Sequence, residues 1–285
     1  KFIIKPILLI LAGLLLQACQ SHLNGKIEEL EQSIELKGSR IVRLNNVMDI
    51  PVDNNQLVGG RSSVANPGRL KLLSDKRYLS FLNILSEEIE KYPSDILKTD
   101  LDTIYIGGQI LGTNEQYFSG FYHPGTQNIY LFPLVFDMPN FEDATTIRST
   151  IHHEISSILL RKYRFDMIGF MAYNGFEFEY WHDEDKLLHN PSASYYASEV
   201  LLKEGLLTHY SQTSPENDYN TYIEVAFAYP EIMSKYCSGY DRINLKYEFI
   251  KKFYLSISSD FQLVFDQVNC GDKRQSLAKA ASHGS

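Results

Sequence analysis

The chain has 285 residues, and its 35 acidic side chains exceed its 27 basic ones to give a formal net charge of −8. This acidity argues against nucleic acid as a partner and against a polybasic attachment to anionic lipid. Nineteen tyrosines and 16 phenylalanines supply enough aromatic surface for a substantial core. The length suits one large domain or two small ones.

The N-terminal segment has the pattern of a secretory signal. Lys1 and Lys5 flank the start of an apolar run, residues 7–16, which is too short to span a bilayer as a mature helix. Small residues and Cys19 follow, as in a bacterial lipobox, where cleavage before the cysteine leaves its thiol carrying lipid. We therefore predict a lipoprotein signal peptide at residues 1–18 and a lipid-anchored Cys19. An ordinary signal peptide with an incidental cysteine is the alternative.

The next segment is polar and mixed in composition. Residues 26–36 have some helical periodicity, and residues 54–69 are rich in Gly, Asn and Ser. We interpret residues 19–70 as a tether containing one short helix. The folded domain is then expected to cover residues 71–285.

The first elements of that domain follow from periodicity and turn residues. Residues 78–91 suit an amphipathic helix ended by Pro93. Residues 101–106 alternate between apolar and polar types and predict a strand. Residues 118–131, with a turn at His-Pro-Gly-Thr, predict a hairpin.

The next predicted helix carries the most informative pattern of the chain. It begins after Pro139, and its apolar face is formed by Ile147, Ile151, Ile155 and Ile158. His153 and Glu154 match the start of His-Glu-x-x-His, in which two histidines four residues apart hold Zn²⁺ and the glutamate activates a metal-bound water. Ser157 stands where the second histidine belongs, and a hydroxyl is a poor zinc ligand. The helix therefore predicts a metallopeptidase architecture with an incomplete motif.

The C-terminal part is predicted to be mainly helical from about residue 192. Residues 192–209 have helical periodicity, and a second helix begins at Pro215 and ends before Pro230. Segments 247–257 and 261–268 predict terminal helices. Two thiols remain besides Cys19, and in an oxidising compartment they either form a disulfide or stay buried and free; they are Cys237 and Cys270.

Three segments in this order resemble a family of zinc-binding metallopeptidases found as lipoproteins in Bacteroidetes. The family pattern is His-His-Glu-Phe-x-His, then Gly-Phe-Val-x-x-Tyr, then an acidic helix resembling Glu-Asp-Phe-Ala-Glu. The corresponding segments here are residues 152–157, 205–210 and 216–219. The resemblance covers roughly residues 75–235 and the leader. It implies an α+β, zincin-like fold, with a small mixed sheet whose edge hairpin packs on the metal-site helix and can pair with an extended substrate.

The resemblance also implies a zinc site, of which His153 is one ligand. A carboxylate from the acidic helix is a second ligand, with Glu216 or Asp218 preferred over Glu224. His209 is a candidate replacement for the missing histidine. Glu154 is the candidate general base, and the Tyr210 phenol is placed to stabilise an oxyanion.

Two functions are compatible with these residues. In the first, the protein is an outer-membrane lipoprotein that hydrolyses peptide bonds with a zinc-activated water. In the second, it is a degenerate zincin that binds peptide or glycan in a nutrient-uptake system without hydrolysis. The family resemblance implies the outer membrane, with either its periplasmic or its cell-surface face as the location.

Overall fold

The computed structural model describes residues 4–45, 70–111, 117–123, 125–133, 144–181 and 198–271. The chain divides into two compact units. The first unit contains Lys1–Glu90 and Leu97–Ala144, and the second contains Lys91–Ile96 and Thr145–Ser285. The first carries the strands and the second is helical, so the predicted α+β class with a small mixed sheet is confirmed.

The first unit is built on a four-stranded sheet with helices beside it. Its elements are α1 (Ile4–Lys37), β1 (Arg40–Arg43), α2 (Asp75–Ile89), β2 (Thr103–Ile106), β3 (Ile110–Leu111), β4 (Tyr117–Phe118), β5 (Gly120–His123) and β6 (Asn128–Leu131). The main sheet has the order β1-β2-β6-β5, and β3 pairs with β4 in a separate ribbon. The β1–β2 and β2–β6 pairs are parallel, whereas β5 and β6 form the predicted hairpin. Helix α3 (Ser94–Asp100) divides between the two units.

The sheet begins earlier in the chain than the predicted domain start at residue 71. β1 pairs in register with β2, from Arg40 opposite Thr103 to Arg43 opposite Ile106. Gly38 makes the turn from α1 into β1 with a positive φ of 126°, and a Cβ there would lie 2.8 Å from the Lys98 backbone nitrogen. Residues 38–44 therefore belong to the fold, whereas the Gly/Asn/Ser-rich segment 54–69 lies outside the described residues.

The second unit consists of helices packed through aromatic side chains. Its helices are α4 (Ala144–Lys162), α5 (Met167–Met171), α6 (Glu199–Glu204), α7 (Pro215–Ala228), α8 (Pro230–Gly239), α9 (Asp241–Ile257) and α10 (Gln262–Phe265), with 3-10 turns at Tyr210–Gln212 and Ser259–Phe261. Phe227 of α7 is central to the packing, and its ring contacts Tyr254, Phe261 and Phe265 at centroid distances of 5.6 to 6.2 Å. In the described part of the chain, no helix is long and apolar enough to cross a membrane.

Two helix boundaries near the site differ in how well the sequence predicts them. α7 begins as predicted, because the Ser214 hydroxyl accepts a hydrogen bond from the Asn217 backbone N–H and Pro215 occupies the first turn. The helix predicted over 192–209 instead ends at Gly205, whose left-handed backbone (φ 84°) caps α6. The start predicted at residue 192 lies outside the described residues.

A buried ion pair joins α7 to α9. The Lys246 ammonium donates to Asp218 Oδ2 at 2.5 Å, to Asn174 Oδ1 at 2.6 Å and to the Gly205 carbonyl at 2.9 Å. The Tyr180 hydroxyl donates to the same carboxylate oxygen at 2.6 Å. Lys246 and Asp218 side chains are both 0% exposed, so solvent does not screen the pair.

A disulfide between Cys237 and Cys270 ties the end of the described chain to α8. The Asn269 backbone N–H donates to Ser234 Oγ at 2.8 Å beside it. The bond closes a loop with a sequence separation of 33 residues.

Removing this disulfide should lower the free energy of unfolding by about 4 kcal/mol, since a cross-link over a loop of this size restricts the unfolded chain. Urea unfolding of the Cys237→Ser/Cys270→Ser variant would measure the loss. Reductant should weaken the wild type and leave the variant unchanged. A wild-type midpoint that is insensitive to reductant would contradict the expectation.

Candidate functional site

The predicted metal-site helix α4 faces α7 inside the second unit. Ile151 and Ile155 are buried on the apolar face of α4, and this places His153 beside α7. Asn220 and Glu224 are four residues apart on α7, so both project from the same face of that helix. These two side chains lie within hydrogen-bonding distance of the two nitrogens of the His153 ring.

The imidazole of His153 is fully engaged by side chains. Its Nδ1 lies 2.7 Å from Glu224 Oε1, and its Nε2 lies 3.0 Å from Asn220 Nδ2. The His153 side chain is 16% exposed and that of Glu224 is 6% exposed. The pair therefore forms a mostly buried contact between the two helices.

The Asn220 side chain also contacts two serines of α4. Its Nδ2 donates to Ser157 Oγ at 2.8 Å, and its Oδ1 accepts from Ser156 Oγ at 2.6 Å. We name this set of contacts, from Asn220 to His153, Ser156 and Ser157, the amide bridge. All three α4 partners lie within one helical turn.

The amide bridge does not fit a zinc site. A zinc ion would need His153 Nε2 and donors at positions 157 and 220, but the chain supplies there a hydroxyl and a neutral amide, both weak zinc donors beside imidazole, carboxylate or thiolate. The Asn220 amide nitrogen also lies within hydrogen-bonding distance of both His153 Nε2 and Ser157 Oγ, so it occupies the space between the two atoms. Among the described residues, no group of three or more His, Cys, Asp or Glu side chains is arranged to hold a metal ion.

The charge on His153 decides which way the Asn220 amide is best oriented. Burial lowers the pKa of His153, but the hydrogen bond to Glu224 and the nearby carboxylates of Glu154, Glu224 and Glu216 outweigh it and raise the pKa to about 9. At neutral pH both ring nitrogens then carry protons. Rotating the Asn220 amide by 180° would exchange its oxygen and nitrogen, so that the oxygen accepts from the protonated Nε2 of His153. The amide nitrogen would then donate to Ser156 Oγ, and the Ser156 hydroxyl could donate to the His153 carbonyl, 2.9 Å away.

Glu154, the candidate general base, is 6% exposed. Burial raises its pKa from the ordinary value of 4.5 to about 7; the charge of His153 opposes this rise, and Glu216 and Glu224 add to it. A carboxyl group with such a pKa exchanges protons near neutrality. This property is compatible with either of the two functions left open by the sequence.

The other predicted site residues lie in separate contacts. Glu216 accepts from Arg161 Nη2 at 2.9 Å, and Asp218 is the partner of Lys246. His209 Nδ1 lies 3.2 Å from Gln212 Nε2. The carboxylate that hydrogen-bonds His153 Nδ1 is that of Glu224, which was less preferred as a zinc ligand than Glu216 or Asp218.

Two aromatic contacts complete the surroundings of the helix. The Tyr210 ring lies 5.8 Å from the His153 ring between centroids. His152 points the other way, into the core, where its Nδ1 lies 2.9 Å from the Tyr92 hydroxyl. Burial lowers the pKa of His152 well below its ordinary value, so this ring is neutral.

Sequence reasoning missed Ser156 and Asn220. Asn220 lies four residues before Glu224 on a predicted helix, which is a signal that both share a face. Nothing in the sequence indicated that this face meets α4. An asparagine opposite two adjacent serines is recognisable as a hydrogen-bonding set only after the helices are placed.

Comparisons with known proteins give a distant structural likeness. No family model matches the chain, and no curated protein matches its sequence. Among solved structures, the chain is similar to one described as a "putative zinc-binding metallo-peptidase" from Bacteroides caccae. The two share 14% identity with a TM-score of 0.47, over 86% of this chain and 90% of that one.

The raised pKa of His153, about 9, predicts that stability falls between pH 7 and pH 9, whereas the raised pKa of Glu154, about 7, predicts a loss that is mostly complete by pH 7. Both folded-state pKa values are raised, to about 9 and about 7, so both groups hold protons more tightly in the folded state than in the unfolded chain. Their contribution is complete at acid pH and is lost as the pH rises through these values. We expect a decrease of about 2 kcal/mol in the free energy of unfolding.

Urea unfolding at pH 7, 8 and 9 would measure this decrease. A His153→Gln/Glu154→Gln variant is the matched control, and its stability should be nearly constant across the range. Neutral His152 contributes a trend of opposite sign only below its ordinary pKa of 6.5, outside this window. A wild-type stability that rises from pH 7 to pH 9 would contradict the expectation.

Proposed function

We propose that the protein is a bacterial outer-membrane lipoprotein, anchored through Cys19, that has the helix pair of a zinc metallopeptidase but does not hydrolyse peptides. It binds peptide or glycan material for a nutrient-uptake system. The single observation that carries the loss of hydrolysis is the amide bridge. Asn220 contacts both His153 Nε2 and Ser157 Oγ, the two atoms of α4 that would face a metal.

The sheet edge supports a peptide as the bound material. β5 is the outer strand of the four-stranded sheet, and it pairs on one side with β6. An extended peptide can add to the outer edge of such a strand through main-chain hydrogen bonds. Hydrogen exchange of residues 120–123 would detect this, with protection expected from a casein digest and none from a mixture of malto-oligosaccharides.

Metal content tests the loss of hydrolysis directly. We expect mass spectrometry of the chain from Gln20 onward to find well under one equivalent of zinc, also after incubation with excess Zn²⁺ and desalting. Peptidase activity should equal that of a Glu154→Gln variant. One equivalent of zinc that disappears in a His153→Ala variant would refute the proposal.

One observation favours the second candidate, a zinc peptidase with Glu154 as its base. Zinc-bound histidines usually donate their other ring N–H to a carboxylate, and Glu224 is so placed at 2.7 Å from His153 Nδ1. This candidate requires Asn220 to leave its present position. The zinc measurement distinguishes the two.

A further inference from the structure

Helix α1 passes through the predicted lipidation site and continues into the fold without a break. Its range, Ile4–Lys37, includes Cys19, and its later turns bury Ile27 and Ile34 against the first unit. The Tyr78 hydroxyl of α2 donates to Glu31 at 2.6 Å, and Lys37 pairs with Glu90. α1 is therefore docked along the length of α2.

The docking reaches the residue directly after Cys19. The side-chain amide of Gln20 donates to Asp75 Oδ2 at 2.8 Å and to Asn24 Oδ1 at 3.0 Å. If cleavage leaves Cys19 at the N-terminus, the first turn of the helix loses its upstream carbonyls, and these two contacts hold it in place. A helix rises 1.5 Å per residue, so only about 1.5 Å of axis separates Cys19 from a residue fixed to the fold.

Exposed basic and apolar side chains lie close to Asp75 in sequence. Arg43 ties this region together, donating to Asp75 Oδ1 at 2.7 Å and to the Leu73 carbonyl at 2.5 Å. Leu72 is 49% exposed, and Lys71 and Lys76 are exposed on either side of it in sequence. We name the set Gln20, Lys71, Leu72, Asp75 and Lys76 the anchor face.

We propose that the anchor face lies directly against a bilayer containing anionic phospholipid, an inference that rests on the proposed lipidation of Cys19. The lipid brings the membrane to within a few ångströms of Gln20, because no flexible segment lies between them. The aliphatic parts of the lysines and the leucine side chain can be buried in the headgroup layer, where the lysine ammonium groups are attracted to lipid phosphates. The chain as a whole has a net charge of −8, so an anionic bilayer disfavours contact through surfaces that lack such lysines.

Spin labels on the lipidated full chain would test this placement. Cys237 and Cys270 are bonded to each other and Cys19 carries lipid, so an introduced cysteine is the labelling site. Leu72→Cys reports on the anchor face. Leu36→Cys is the matched control, since Leu36 is 82% exposed on the same unit and lies about 25 Å along α1 from Cys19.

The vesicles would contain phosphatidylethanolamine and phosphatidylglycerol. The measured quantity is the accessibility of each spin label to oxygen, which enters the bilayer, divided by its accessibility to a polar nickel complex, which stays in water. This ratio should be at least threefold higher at position 72 than at position 36. A 15-residue Gly/Ser insertion between Cys19 and Gln20 spans about 20 Å and should bring the two ratios together. If the two ratios are equal without the insertion, and mass spectrometry shows acyl chains on the protein, the placement of the anchor face is refuted although Cys19 is lipidated. Absence of acyl mass on Cys19 would overturn both.

Discussion

Replacing Lys246 by methionine is expected to lower the free energy of unfolding by about 3–5 kcal/mol. The substitution leaves the Asp218 carboxylate buried without its cation, and Asn174 Oδ1 and the Gly205 carbonyl lose a donor. Burial raises the pKa of Asp218, and loss of Lys246 removes the charge that opposes this rise. The carboxyl group should therefore become protonated in the variant.

A double substitution separates the ion pair from the packing of the lysine stem. Lys246→Met/Asp218→Asn removes both charges and should recover part of the stability lost in Lys246→Met alone. The exposed Glu199–Lys203 pair on α6 is the matched control, and Lys203→Met should give no measurable change. Urea unfolding of the wild type, Lys246→Met, Asp218→Asn and the double variant measures the coupling energy, and additive losses would refute an energetic link between Lys246 and Asp218.

Zinc binding should appear when two residues of the amide bridge are replaced. Ser157→His completes the i, i+4 histidine pair on α4, and Asn220→Asp puts a carboxylate where the amide now contacts His153 and residue 157. Three protein ligands would then converge. Each contributes several of the about 10–16 kcal/mol of a structural zinc site, so we expect zinc affinity to rise at least a thousandfold.

Titration against a competing chelator would measure this gain. His153→Ala in the same background should abolish it, and cobalt substitution should give the visible spectrum of a tetrahedral site. Ser157 is 1% exposed, so the larger histidine side chain displaces neighbours, and a thermal melt with and without zinc monitors folding. A folded double variant with unchanged zinc affinity would show that α4 and α7 are not arranged as a metal site requires.

Local signals predicted much of the secondary structure near the site. Ser214 and Pro215 mark the start of α7, and the recurring isoleucines mark α4, since capping and periodicity act within a few residues. The prediction over 192–209 was wrong at its end because Gly205 caps α6 within an otherwise helical pattern. β1 was missed because a four-residue strand, Arg40–Arg43, is determined by its pairing with β2 and not by its composition.

The site itself was predicted only in part. His153 and Glu154 belong to a local motif and could be read directly from the sequence. The partner of His153 could not be predicted, because the three acids on α7 differ only in the helix face they occupy. Which face of α7 contacts α4 depends on tertiary packing. Asp218 faces Lys246, 28 residues later in the chain, whereas Glu224 faces His153.

The amide bridge also constrains the routes by which this sequence can change during evolution. Ser157→His alone removes the Ser157 hydroxyl, which is one of the partners of Asn220, and forces a larger ring into a filled space. Asn220→Asp alone adds a carboxylate at His153 Nε2 but does not supply the second histidine that a metal site needs. The Ser157→His step alone therefore passes through a less stable protein, and a lineage that takes this step first gains a metal centre only by crossing that intermediate. The two positions are therefore expected to vary together among descendants.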